Sequence, residues 1–241
     1  RLERAFAERM GRVSADAPAR PSLIVIAGDV DPERSVALLG ETYGDLPPAR
    51  PAKTGAGASP REDARIRIGH RIAQAQLGYL LPAPPPGEPA SYAYRLLLYI
   101  LSHDYEGRFG KEAISRRGLA YYADSRYRSD GVDAWITVAV GVDPARLETL
   151  RSLFAAELER LHGEPPTATE IAEAKSHLIG RARSRAQSNE ELSAELARQW
   201  TWYGRLQSPA ELEQQLSQVT GEELRAIARE FSAGAFILVT E

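Results

Sequence analysis

The run DAWITVAVGVDP, residues 133–144, limits the fold more than any other stretch. Side chains alternate between the faces of a strand, so Ala134, Ile136, Val138, Val140 and Val142 share one side. That face must be buried. Asp143-Pro144 then ends the strand and opens a helix, with a capping carboxylate before a proline at the first helical position. ARLETLRSLFAAELERL follows with apolar residues at helical spacing. A half-apolar strand running straight into an amphipathic helix calls for a sheet covered by helices.

Similar signals recur along the chain. Asp31-Pro32 repeats the aspartate–proline start, and Thr167…Glu170, Ser188…Glu191, Ser208…Glu211 and Thr220…Glu223 have capping-box spacing. They predict a helix over ERSVALLGETYG, a long one from about 168 to 187, another from about 189 to 203, and two shorter ones. YAYRLLLYILSHD is apolar nearly all round, which predicts a buried helix. Strands are predicted at LIVIAGD, QAQLGYLLP, YYADSRYRS, DAWITVAVGV and AFILVTE. In YYADSRYRS the alternation puts Tyr121, Ala123, Ser125 and Tyr127 on one side, and Tyr122, Asp124, Arg126 and Arg128 on the other. The expected class is α+β, an antiparallel-rich mixed sheet packed against helices as a two-layer sandwich.

Residues 47–63, PPARPAKTGAGASPRED, form a Pro/Ala/Gly-rich connector. The helix-then-strand pattern ERAFAERM…PSLIVIAGDVD before it echoes LRAIAREFSAGAFILVTE at the far end. Three parts are therefore expected: the tail of a preceding homologous domain over 1–46, the connector over 47–63, and a second α+β domain over 64–241. The first residue is Arg1 rather than Met, which suggests a fragment or a processed product.

Composition narrows the chemistry. The net charge of −3 argues against nucleic acid as a partner, and the absence of cysteine excludes disulfides and thiolate zinc sites. No apolar run approaches the ~20 residues that a membrane helix needs. His70, His162 and His177 lack a metal-ligand spacing. His103-Asp104-Tyr105-Glu106-Gly107 begins like H-x-x-E-H, but Gly107 stands where the second histidine would be, so a helix end running into a turn is expected. No metal site is expected in this chain. G-x-S-x-G and a phosphate-binding glycine loop are also missing. That leaves SRRGLAYYADSRYRSDG, residues 115–131, crowded with tyrosine and arginine. Its plainest account is a helix FGKEAISRR stopped by Gly118 at C′, followed by a half-exposed strand.

The order AGDVDPERSVALLGETYGDLP, QAQLGYLLPAP, YRLLLYILSHDYEGRF, ISRRGLAYYADS, ITVAV and TATEIAEAKSHLIG, closed by a helix and strand, resembles one family. It is the second, non-zinc-binding domain of the zinc peptidases that include pitrilysin, insulin-degrading enzyme and mitochondrial processing peptidase. The resemblance covers about residues 22 to 241. It implies a sandwich of the mitochondrial-processing-peptidase type, in a clam-shell whose zinc is held by H-x-x-E-H in a partner domain or subunit. It further implies an arginine and a tyrosine, from the second domain of the opposing half, that hold the peptide substrate. Tyr121 matches that tyrosine, the last residue of Gly118-Leu119-Ala120-Tyr121. The arginine position, seven residues earlier, is Ile114, and Arg116 and Arg117 point to other faces of the helix. Ile114 is expected to pack in the core. A non-catalytic domain that encloses peptide and assembles with a zinc-bearing half is one expectation; a purely structural subunit is the other. The resemblance suggests a bacterial periplasm or cell envelope, with the cytoplasm as the alternative.

Overall fold

The computed structural model describes residues 23–44, 63–68, 73–129, 133–185 and 187–240. His70, the connector up to residue 62 and the first 22 residues lie outside them.

Among the described residues five strands form one sheet: β1 (Ala64–Arg67), β2 (Ala75–Ala83), β3 (Ala120–Ser129), β4 (Ala134–Val142) and β5 (Ala235–Thr240). Their order is β1-β5-β2-β4-β3. β2 pairs antiparallel with β4 from Ala75↔Val142 to Ala83↔Ala134, and β5 and β3 flank this pair, also antiparallel. β1 runs parallel to its neighbour β5. The sheet is therefore mixed and antiparallel-rich, and the α+β class read from the sequence holds.

The helices are α1 (Pro32–Tyr43), α2 (Pro89–Ser102), α3 (Arg108–Gly110, continuing as a π-helix over Lys111–Arg116), α4 (Leu147–Gly163), α5 (Ala168–Ser184), α6 (Asn189–Tyr203), α7 (Pro209–Gln218) and α8 (Gly221–Phe231). Their starts follow the caps. Asp31, Ser188 and Thr220 each accept a backbone N–H of the first turn. Thr167 with Glu170 and Ser208 with Glu211 close full capping boxes. Asp143 caps a short 3₁₀ turn, Pro144–Arg146, that leads into α4. Each such cap stabilises its helix by about 1 kcal/mol.

One face of the sheet carries the core. Leu77 and Tyr79 of β2 and Ile136, Val138 and Val140 of β4 are buried against Leu96, Leu97 and Leu101 of α2, Phe154 of α4 and Phe231 of α8. Burying side chains of this size contributes about 1.5–3 kcal/mol each. Phe154 stacks at 5.0 Å from Tyr79 and 4.6 Å from Phe109. The buried Tyr79 hydroxyl donates to the Phe231 carbonyl. On the opposite face Trp135, Thr137 and Ala139 of β4 are only half-buried. α2 is buried nearly all round, as its composition predicted.

Two expectations need correction. LIVIAGD does not form a strand; residues 23–27 join no ladder among the described residues. A run of apolar residues becomes a strand only when its backbone groups find a partner. Conversely, β1 is a strand that no alternation announced, because all four of its residues are exposed. α1 likewise buries none of its residues, and Val36 remains 70% exposed.

Candidate functional site

The segment from Gly107 to Tyr122 joins the end of α2 to β3, and two irregularities shape it. The first is the π-turn. Arg117 N–H reaches the Glu112 carbonyl at 3.1 Å and Leu119 N–H reaches that of Ala113 at 2.7 Å. The wider turn brings residues four and five positions on over the same side chain. Glu112 accordingly pairs with Arg116 and, at 3.3 Å, with Arg117. Both guanidinium groups are thus held on the helix surface. Ile114 is half-buried against the core. The helix ends where predicted: Gly118 takes φ +55, a left-handed conformation that glycine adopts at little cost.

The second irregularity is a β-bulge. Ala120 stands opposite Val142 and Tyr122 opposite Gly141, which leaves Tyr121 as the extra residue. Ala120 and Ala123 are consequently both buried, although simple alternation would put them on opposite faces. This corrects the predicted faces: Tyr121 does not share a side with Ala123. It stands 59% exposed, and its hydroxyl makes no hydrogen bond with the described residues. Tyr121 and Ile114 are therefore presented in opposite ways, one to solvent and one to the core.

Behind this segment lies an ion pair that the sequence did not reveal. Arg108, 8% exposed, donates from Nε and Nη2 to both carboxylate oxygens of Glu170, at 2.7 and 2.9 Å. Its remaining N–H groups reach the carbonyls of Glu164, at 2.8 Å, and Pro165, at 3.3 Å. The Arg108 hydrogen bonds pull the Glu170 carboxyl down to about 2, against the opposing effect of burial; the Thr167 cap adds to the lowering. Arg108 so ties the start of α3 to the start of α5.

His103 and His177, unrelated by spacing, meet in space. Their rings lie 4.4 Å apart, and Tyr99 stacks on both at 4.4 and 4.5 Å. Burial, followed by the nearby His103 and Arg181, pushes His177 down to about 4. His103 Nδ1 is buried without a partner. Glu106, the carboxylate of the H-x-x-E-like stretch, accepts instead from the Tyr99 hydroxyl at 2.8 Å. Zinc needs three or more converging donors, whereas these two imidazoles pack on each other and the Glu106 carboxylate is engaged by Tyr99. No group of three or more His, Asp or Glu placed to hold a metal occurs among the described residues. The donor set does not fit a catalytic zinc.

Against known proteins, residues 22–178 match the family model described as the peptidase M16 inactive domain. An uncharacterized zinc protease of Mycobacterium leprae is 26% identical over 219 residues, covering 86% of this chain and 48% of that protein. The crystal structure of a peptidase M16 inactive domain from Pseudomonas fluorescens superposes with a TM-score of 0.71 at 20% identity, over 88% of this chain and 52% of that one. A protease from Helicobacter pylori gives a TM-score of 0.69 at 17% identity, over 89% and 54% of the two chains. The chain thus spans about half the length of the relatives it matches.

Proposed function

Because the chain belongs to the peptidase M16 inactive-domain family, we propose that it encloses peptide for a zinc-bearing homologous domain or subunit and donates one hydrogen bond to the reacting peptide. The observation that supports this reading is the bulge at Tyr121, which holds a phenol out in solvent; the resemblance matches this residue to the family tyrosine. A phenol there has an O–H to offer to the peptide carbonyl as it becomes an oxyanion. Attack on that carbonyl belongs to the zinc-bearing half.

The exposed apolar residues of 23–44, among them Ile24, Ile26, Val36 and Leu38, support a second element of the proposal. They give this segment a surface suited to packing within a preceding domain of the same kind. On the family resemblance, the whole assembly is assigned to a bacterial cell envelope or periplasm. Ile114 favours a competing reading, a purely structural subunit, because an isoleucine packed on the core cannot hold a substrate.

The test is cleavage of a quenched fluorescent peptide library by the intact protein, alone and with candidate zinc-bearing partners, alongside its zinc content. Activity that requires the partner is expected. Tyr121→Phe in the active assembly should lower kcat roughly ten- to a hundredfold, the worth of one hydrogen bond to a charged oxygen, with Tm unchanged. Unchanged turnover would hand the case to the structural reading.

A further inference from the structure

Among the described residues no hydrogen bond holds the Tyr121 hydroxyl, so its direction is set by the backbone that carries it. One short stretch of chain braces that backbone. It runs from Gly141 to Arg146 and contains the end of β4 and the turn into α4.

Gly141 makes the first contact. It stands opposite Tyr122 in the ladder, directly after the bulge. A Cβ at 141 would come within 2.4 Å of Tyr122 Cε1 and 3.0 Å of Cδ1. The ring therefore lies against bare Gly141 backbone, in space that any other residue would fill. An aromatic ring packed on a cross-strand glycine pins the register of two strands. Here it pins Tyr122, and with it the neighbouring residue that the bulge adds. Ala120 and Ala123, both buried, hold the strand from the core side.

Arg146 makes the second contact. Its Nη1 donates to the Gly118 carbonyl at 3.2 Å. Asp143 shapes the turn that aims it: Oδ1 accepts the Ala145 N–H and the backbone carbonyl accepts the Arg146 N–H, both at 2.8 Å. Each of the three residues before Tyr121 thus has an anchor. Gly118 has Arg146, Leu119 donates to the Ala113 carbonyl at 2.7 Å, and Ala120 stands opposite Val142.

We propose that Gly141 and Arg146 are positioning residues for Tyr121, Gly141 by seating the Tyr122 ring and Arg146 by holding the Gly118 carbonyl. The inference rests on the role of Tyr121 proposed above and adds what directs its phenol. A donor to an oxyanion works at about 2.7–3.1 Å, so a shift of the hydroxyl by about 1 Å forfeits most of the bond. That loss falls on the transition state, where the charge develops, and so on kcat rather than KM.

The experiment is a double-mutant cycle on the intact protein assembled with its zinc-bearing partner. Gly141→Ala should lower kcat about tenfold, with KM within about twofold of the unsubstituted protein. Arg146→Gln should lower kcat about threefold, and Arg146→Lys, which keeps a charged donor, should recover most of that. In the Tyr121→Phe background neither Gly141→Ala nor Arg146→Gln should lower kcat further, because no hydroxyl remains to misplace. A substitution that only unfolds part of the sample lowers activity by the same factor in both backgrounds. Equal factors therefore overturn the proposal, and so does an unchanged kcat in the single variants. Should Gly141→Ala fail to fold, Tyr122→Ala takes its place. Loss of the ring should lower kcat as the added methyl does, and Tyr122→Phe, which keeps the ring, should restore it. A crystal structure of Gly141→Ala or Tyr122→Ala reads the brace without activity. The Tyr121 Cα–Cβ bond should point in a new direction, and an unchanged Tyr121 overturns the proposal. If Tyr121→Phe itself leaves turnover unchanged, the proposed function fails, while the crystal structure still decides the brace.

Discussion

Arg108→Ala is expected to destabilise the protein by about 3–5 kcal/mol, measured by urea unfolding. The side chain makes four hydrogen bonds from an almost fully buried position. Its loss leaves the Glu170 carboxylate and two loop carbonyls without their donor. A lysine at 108 offers a point charge in place of a fork and should recover less than half of the loss. The pH dependence carries the same signature. The Glu170 carboxyl is lowered from its ordinary range to about 2 in the folded protein. Its stabilisation is therefore present in full above the ordinary carboxylate range and lost as pH falls towards 2. In Arg108→Ala this acid-side loss should flatten. A cost under about 1 kcal/mol, or an unchanged acid slope, would show that the pair does not anchor α3 to α5.

Gly110→Ala should cost about 3 kcal/mol, through crowding rather than lost contact. A Cβ at this position would overlap the Asp104 carbonyl oxygen, which is backbone and cannot swing aside. The turn from α2 into α3 would have to open. Gly118→Ala serves as a comparison because a Cβ there meets nothing within 4 Å, and only the positive φ opposes it. That substitution should cost about 1 kcal/mol. Equal effects of the two in thermal melts would mean that the tight turn at Gly110 has room to relax.

Much of this architecture was legible because local chemistry dictates it. Asp31, Asp143, Thr167, Ser188, Ser208 and Thr220 each cap the helix or turn that the sequence assigned to them. The alternation in Ala75–Leu81 and Ala134–Val142 fixed which face of the sheet is buried. The site was less legible. The bulge at Tyr121 depends on the register against β4, and register is a property of two strands rather than of one. The π-turn left no mark in the periodicity of Lys111–Arg116, because one wide turn shifts the pattern by a single residue. Arg108 was missed since arginine is normally a surface residue, and its partner Glu170 already had an evident role in the Thr167 cap. His103 and His177 met through the packing of α5 on α2, which no spacing along the chain encodes.

The strand order sets a timetable for synthesis. β1 precedes the other strands in sequence, yet its partner in the sheet is β5, which follows every other element described. β5 also lies between β1 and β2, so the sheet cannot take β1 in until β5 has been placed. On the ribosome, β1 emerges early and waits unpaired while the helices and the β2–β4–β3 ladder form. A chain released before residue 235 would keep the antiparallel ladder but leave β1 without its strand partner, and the β2 edge open to other chains.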